Sequence, residues 1–528
     1  MVVRDPMNDA RLRALGIGML FAYCALRVSG SAPGFEALQL AGAGAYVHLD
    51  PSSFLAMGGL GLLWRGGVTR GSSVLLLGTL SATFAISTLH ANLVRYYSGN
   101  ALAWDLGNFV QPMWRSAHGQ SMTVTFWGAS PLWGDHGSFA MFLFAPLTRL
   151  FADPATGVLL AQAGISSAFI PALYVVARRA GLERAPSLAV STVAASSRAL
   201  FEAATFDFHP ECALGLLLTL LTLCVLTNRH RHAVVLALLA ASLKDMAALT
   251  AMMALLYFAL RRRSAILLAG AALCAGIAAF DMRVLPSLTG WPSYVAMNTS
   301  AGLDLSAAVL STLGRSLSQG FAGWLHPFSW FTGAPWAAAA ALSPKLAVKG
   351  LGFQYGFLWA PVGLLGTIFI FSWLSRRAPQ RVASAGAAWV ALTLAINARP
   401  AAPDTSLGDA YAHFFASRTA LLNTLPAAAS IGTDACTSPL LMDRAEVRGL
   451  CLLDVAALAR GGAERWSAPA SRALEVDYIV FDRLCTAHGT CAQAQLEQAQ
   501  RRGFKLQAIV RQRWGVFARG ETLPPPAQ

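Results

Sequence analysis

Ser72–Asn92 reads SSVLLLGTLSATFAISTLHAN, a run without one formal charge. Hydrocarbon is crossed by roughly 20 residues at 1.5 Å each, so this stretch is long enough to span. Pro154–Ala177 repeats the pattern, again uncharged. Such runs explain a 528-residue chain that is 55% hydrophobic and only 12% charged, where soluble domains carry about 25% charged residues.

Working outward, the apolar runs end in short basic loops: Arg65/Arg70, Arg178/Arg179/Arg184, Arg229/Arg231, Arg261–Arg263 and Arg376/Arg377. That is the positive-inside pattern, and it orients the chain. From residue 400 onward, 13 Lys+Arg face 12 Asp+Glu, so nearly all of the net charge of +14 belongs to the membrane part. A nucleic-acid partner is not indicated.

With the basic loops inside, two N-terminal spans are expected near 14–30 and 48–64, then 72–92 outward. Arg4, Arg11 and Arg13 before the first run, with no small-residue cleavage site after it, read as an anchor. Residues 93–153 form a long external segment. Spans follow near 154–177, 185–205, 210–227, 233–243, 246–260 and 264–281, and 282–320 is again external. Residues 321–350, broken by Pro327, Pro335 and Pro344, must cross an even number of times or re-enter. Inward and outward spans from 354 and over 381–397 complete about 11–13 crossings. The fold class is thus mostly α, a polytopic transmembrane helical bundle with a small C-terminal soluble α/β domain. Its parts are extra segments over 1–70, a core over 71–399 and an external domain over 400–528. In that domain a helix is expected over 408–426 and strand-like segments at Ser438–Met442 and Tyr478–Phe481. An external compartment permits disulfides. Cys485–Cys491 with Cys436–Cys451 is one of the three pairings open to four cysteines.

Ionisable groups near membrane depth are costly and mark functional sites by default. Four clusters qualify, and the topology places all of them on the outer face. The first joins Tyr96 and Tyr97 to Trp104-Asp105-Leu106-Gly107-Asn108-Phe109, Gln111, Arg115 and His118. As a helix it puts 104, 108, 111, 115 and 118 on one face with Asp105 beside them, which also suits an interfacial helix with a solvated side. The second is Trp133-Gly134-Asp135-His136-Gly137, a turn exposing an acid and an imidazole, or a plain Asx-turn. The third is Phe206-Asp207-Phe208-His209-Pro210-Glu211. An extended run puts Asp207, His209 and Glu211 on one side, where they could hold a divalent cation or shuttle a proton; helix capping is the alternative. The fourth is Lys244-Asp245, read as an ion pair at a kink or as a phosphate contact that Lys345, Lys349, Gln354 and Tyr355 join if 321–350 re-enters. Arg198 and Glu202, one turn apart, are expected to pair.

The order Asp105-Leu106-Gly107-Asn108-Phe109 with Gln111 and Trp114, His118-Gly119, Gly134-Asp135-His136, Phe206–Glu211 and Lys244-Asp245 resembles a prokaryotic family of predicted membrane proteins known as a domain of unknown function. That family in turn resembles the GT-C glycosyltransferases, including protein-mannosyltransferase-like enzymes that use polyprenyl-phosphate-linked sugars. The resemblance covers about 72–400 and, more loosely, the C-terminal domain. It implies a GT-C core whose first external loop carries an acid that acts as base on an acceptor hydroxyl or helps hold a metal. Asp105 matches that position. Two spans precede the usual start of the core, and Asp207-Phe208-His209 is the nearest equivalent of an Asp-X-Asp.

Residues and resemblance together lead to an expected membrane glycosyltransferase that moves a sugar from a polyprenyl-phosphate donor to an external acceptor. Asp105 is the expected base. Tyr96, Asn108, Gln111, Arg115, His118, Lys244, Asp245, Lys345, Gln354 and Tyr355 are expected substrate contacts. Asp135, His136, Asp207, His209 and Glu211 are the expected ligands of a divalent metal, Mg or Mn. The expected location is the inner (plasma) membrane with the C-terminal domain periplasmic or extracellular, and the partners are membrane lipids, the lipid-linked donor and the acceptor. A transporter or flippase of lipid-linked substrates, or a non-catalytic scaffold, is the alternative. The absence of a visible repeat and the one-sided polar clusters favour the enzyme.

Overall fold

Thr69 starts the helix that organises the chain, Arg70–Tyr97. Its hydroxyl accepts from the Ser72 amide at 3.1 Å while the Thr69 amide donates to the Ser72 hydroxyl at 3.0 Å, a capping box that fixes the helix start. The computed structural model describes residues 6–29, 35–40, 45–49, 51–98, 101, 103–125, 130–131, 137–289, 321–343, 355–378, 407–433, 437–444, 446–449, 475–482 and 497–519, with scattered positions of 306–319 and 382–393. The expected sites Asp135, His136, Lys345 and Gln354, with Lys349 and the four C-terminal cysteines, lie outside the described residues.

Among the described residues four helices are long and apolar enough to cross a membrane: Arg70–Tyr97, Pro154–Arg179, Ala265–Leu288 and Gly356–Arg377. Shorter helices fill the rest of the bundle, and two departures from expectation have local causes. The stretch expected as one span over 185–205 is two helices, Arg184–Ser196 and Arg198–Thr205, because Ser197 is extended (ψ 117°) and its hydroxyl caps the second at the Leu200 amide. A hairpin of strands Phe35–Leu40 and Ala45–Leu49 separates the first two helices, so the second begins only at Pro51.

The levels of the helices follow from ring contacts. Phe258 packs on Phe328 and Phe369, and Tyr257 on His326, near the Arg261–Arg262 end of helix Asp245–Arg262. The Ser372 hydroxyl donates to the Ala180 carbonyl, which brings Arg178/Arg179 to the end where Arg376/Arg377 lie. The basic ends therefore coincide. At the opposite end, the Ala140 amide donates to the Ser242 carbonyl at 2.9 Å and Gly137 lies on Asp281.

This ordering corrects the expectation for 282–350. The Trp389 indole donates to the Gln319 carbonyl at 2.8 Å and packs on Phe371, so residue 319 already lies in the basic half of the bundle. From there helix Pro327–Leu342 runs back, antiparallel to Gly356–Arg377, with Phe328 against Phe369 and Trp336 against Tyr355. Gln319, expected on the external side, thus lies at the basic end, and 327–342 is one traverse. Charge patterning missed the return because no Arg cluster marks the turn before residue 321. The helices meet closely: a Cβ on Gly323 would lie 1.8 Å from the Gly363 carbonyl oxygen, so only glycine fits.

The C-terminal part begins with helix Leu407–Asn423 and builds a five-stranded mixed sheet. Strand Ile431–Thr433 is parallel to Val447–Gly449 and to Tyr478–Asp482. Trp514–Arg519 then joins Tyr478–Asp482 antiparallel and pairs with Phe504–Val510. Ser438–Leu441, expected as strand-like, is a 3₁₀ turn, since Pro439 near its start has no N–H for a ladder.

Candidate active site

Asp105 sits in a π-helical turn, Ala103–Gly107, that leads into helix Asn108–Ala117. Its Oδ1 lies 3.2 Å from His209 Nε2, joining residues 104 positions apart. His209 Nδ1 is 2.9 Å from the Asp207 carbonyl oxygen. A peptide carbonyl only accepts, so Nδ1 carries a hydrogen. The short contact between Nε2 and a carboxylate oxygen then requires one further proton shared by the pair. In the ionised form an imidazolium donates to Oδ1, and Oδ2 has no partner among the described residues. Asp105 is 23% exposed and His209 only 1%, so the carboxylate opens outward and the imidazole backs it.

The run Phe206–His209 is held as an extended strap. Gln162 donates to the Ala204 and Phe206 carbonyls at 3.1 and 3.0 Å and accepts from the His209 amide at 2.9 Å. Asn92 donates to the Ala204 carbonyl at 2.6 Å. Phe206 stacks on the His209 ring and Phe109 meets it edge-on. Gln162 was not singled out from the sequence. Its signal is that it is the one amide in the uncharged run 154–177. Replacing it with Leu strips the Phe206 carbonyl and the His209 amide of this partner, while Ala204 keeps Asn92, and each group costs about 1–3 kcal/mol if left unpaired. We expect Gln162→Leu to lower the thermal unfolding temperature in detergent; an unchanged transition would mean that water replaces the amide.

The other predicted residues divide. Asp207 Oδ1 accepts from Arg95 Nε at 3.1 Å, and Glu211 Oε1 lies 3.0 Å from Lys244 Nζ, both members of the latter pair being buried. Asp207, His209 and Glu211 therefore meet three separate partners and do not fit a shared cation. Among the described residues no three His, Cys, Asp or Glu side chains converge as metal ligands. Tyr355 lies within electrostatic range of Lys244. Asp245 accepts from the Met246 amide at 2.6 Å.

Four residues of the first cluster are committed elsewhere. Tyr96 donates to Asp153 at 2.8 Å and packs on Phe414; burial pushes the Asp153 carboxyl up, against the bonds from Thr156 and Tyr96. Gln111 donates to the Thr125 hydroxyl at 2.7 Å, and that hydroxyl donates to the Val447 carbonyl at 2.8 Å. These bonds seat strand Val447–Gly449 on the loop, while the turn Ser438–Leu441 packs against the Asp105 turn. Arg115 donates to the Ser121 carbonyl at 3.3 Å, and the His118 ring bonds its own helix at Trp114. Asn108 is buried.

Asp281 was read from the sequence only as the end of a span. It is 6% exposed, its two carboxylate oxygens have no partner among the described residues, and a Cβ on Gly137 (φ +61°) would fall 2.2 Å from its Cγ. A lone acid at the end of an otherwise uncharged run was the available signal. An amide of the same shape has no charge to desolvate, so Asp281→Asn should unfold at the same or a higher temperature. A loss above about 1 kcal/mol would mean that the carboxylate has a partner.

No curated protein sequence matches the chain. Solved structures are similar to it, among them two of ArnT. One is ArnT from Cupriavidus metallidurans bound to undecaprenyl phosphate, 12% identical, covering 87% of this chain and 100% of its own, at a TM-score of 0.51. The other is ArnT from the same organism in the apo state, also 12% identical, covering 85% and 99%, at 0.50. At that identity the likeness is one of fold, that of the GT-C glycosyltransferases. Residues 95–450, more than half of the chain and including the Asp105 turn, the 206–211 strap and Lys244-Asp245, match the family described as "Predicted membrane protein (DUF2079)", and the chain belongs to that family.

Proposed function

We propose that the chain is a membrane glycosyltransferase that moves a sugar from a polyprenyl-phosphate carrier to an acceptor hydroxyl, with Asp105 as the base. The observation that supports this is the Asp105–His209 pair: a partly exposed carboxylate with one oxygen backed by a buried imidazole and the other without a partner among the described residues. In the transfer, the acceptor oxygen bonds to the anomeric carbon as the bond from that carbon to the phosphate oxygen breaks. The electron pair leaves on the phosphate, and the acceptor proton passes to Asp105 Oδ2. His209 holds the carboxylate in place through Oδ1 and the strap, a positioning role. The fold likeness to ArnT, whose solved complex holds undecaprenyl phosphate, supports a lipid-linked donor.

On this reading residues 71–399 form the transferase core, and residues 400–528 form a module over the Asp105 turn on the acceptor side, periplasmic or extracellular. The test is purified full-length protein with radiolabelled polyprenyl-phosphate sugars and an envelope acceptor extract. Time-dependent donor consumption that needs Asp105 is the expected result. Donor translocation across proteoliposomes without cleavage would replace the transferase with a flippase.

A further inference from the structure

The strap that carries His209 also carries a cation that no sequence motif marked. Arg95 closes the last turn of helix Arg70–Tyr97. It donates through Nε to Asp207 at 3.1 Å, and its guanidinium lies 4.7 Å from the Phe206 ring centre. A guanidinium has five N–H donors, and Nε uses one. The two terminal nitrogens have no partner among the described residues, and the side chain is 30% exposed beside an Asp207 that is 2% exposed. Ion pair and ring together hold the planar fork and leave one edge, the two terminal nitrogens, to donate. Such an edge suits two oxygens of a phosphate, which it can bind bidentately.

The neighbouring cations are less available. Lys244 is buried against Glu211, and Arg198 is paired with Glu202 at 2.5 Å. Arg95 is instead tied to the reacting pair within three residues of chain: its carboxylate partner is Asp207, whose carbonyl accepts from His209, whose other nitrogen meets Asp105. The geometry points to Arg95 as the residue that binds the phosphate of the lipid-linked donor, the leaving group of the transfer. This rests on the transferase reading above and replaces Lys244 as the phosphate contact.

The test measures binding of undecaprenyl phosphate to detergent-purified full-length protein by native mass spectrometry, with phosphatidylglycerol and inorganic phosphate as separate arms. The variants are Arg95→Gln, Arg95→Lys and the double Arg95→Gln/Asp207→Asn. The double variant removes both charges, so that loss of binding is not confused with an unpaired buried carboxylate. Both Gln variants should bind undecaprenyl phosphate about ten- to a hundredfold more weakly, the worth of a charge-assisted bond or two. Arg95→Lys should fall between them and wild type. Wild-type affinity in a folded double variant overturns the assignment. Equal, Arg95-dependent binding of phosphatidylglycerol supports the anion site and overturns its donor specificity. Arg95-dependent binding of inorganic phosphate alone overturns a lipid-linked ligand. No phosphate binding by wild type in any arm overturns the site. Arg95-dependent binding without donor turnover keeps the site and overturns the transferase.

Discussion

Asp105→Asn is expected to lower donor turnover by about 10²–10⁴-fold, the usual contribution of a positioned general base, while leaving the fold intact. Asn keeps the size of the side chain and can still face His209, but it offers no carboxylate to take the acceptor proton. The measurement is initial rate of sugar transfer at saturating donor, with circular dichroism to confirm folding. His209→Gln should show a smaller loss, because Gln can still reach toward Asp105 and the imidazole acts only through it. Full turnover in folded Asp105→Asn removes Asp105 as the base. Equal losses in both variants would instead give His209 a direct share in proton transfer.

The second large effect concerns stability. Lys244 and Glu211 are 5% and 0% exposed and 3.0 Å apart. Breaking a buried pair strands the remaining charge and costs about 3–5 kcal/mol, whereas replacing both members with neutral groups of similar volume is often close to neutral. Lys244→Met and Glu211→Gln should each lower the unfolding temperature in detergent, and the double variant should recover most of the loss. If Lys244→Met keeps wild-type stability but loses phosphate binding, the lysine is a ligand contact, as its position in the sequence first suggested. The present geometry favours the structural role, since the Lys244 nitrogen is already met by Glu211.

Several elements could be read directly from residue order. The helix Arg70–Tyr97 follows from an uncharged run with Thr69 before it, and Pro154–Arg179 from Asp153-Pro154 at its start and two arginines at its end. The basic clusters implied that one end of the bundle would collect Arg178/Arg179, Arg261–Arg263 and Arg376/Arg377, and the ring contacts agree. Breaks were harder. Ser197 ends one helix and caps the next through its own hydroxyl, a local bond that hydropathy does not register. The level of Gln319 and the traverse 327–342 were misplaced because they depend on which helix Phe328 and Trp389 pack against, and that is a contact between distant residues.

For the candidate site, the sequence by itself determined which ionisable groups occur and marked them as candidates, because burying charge in hydrocarbon is too costly to be accidental. Only the tertiary structure decided who faces whom. Asp207, His209 and Glu211 are spaced as if to share one ligand, yet they turn to Arg95, Asp105 and Lys244, which lie on three other segments. Neither Arg95, in the segment read as external, nor Gln162, inside an uncharged run, stood out from the sequence. Hydropathy reports how much polarity a segment carries. Pairing is set by helix packing across more than a hundred residues, as with Arg95–Asp207 and Asp105–His209, and no local pattern encodes it.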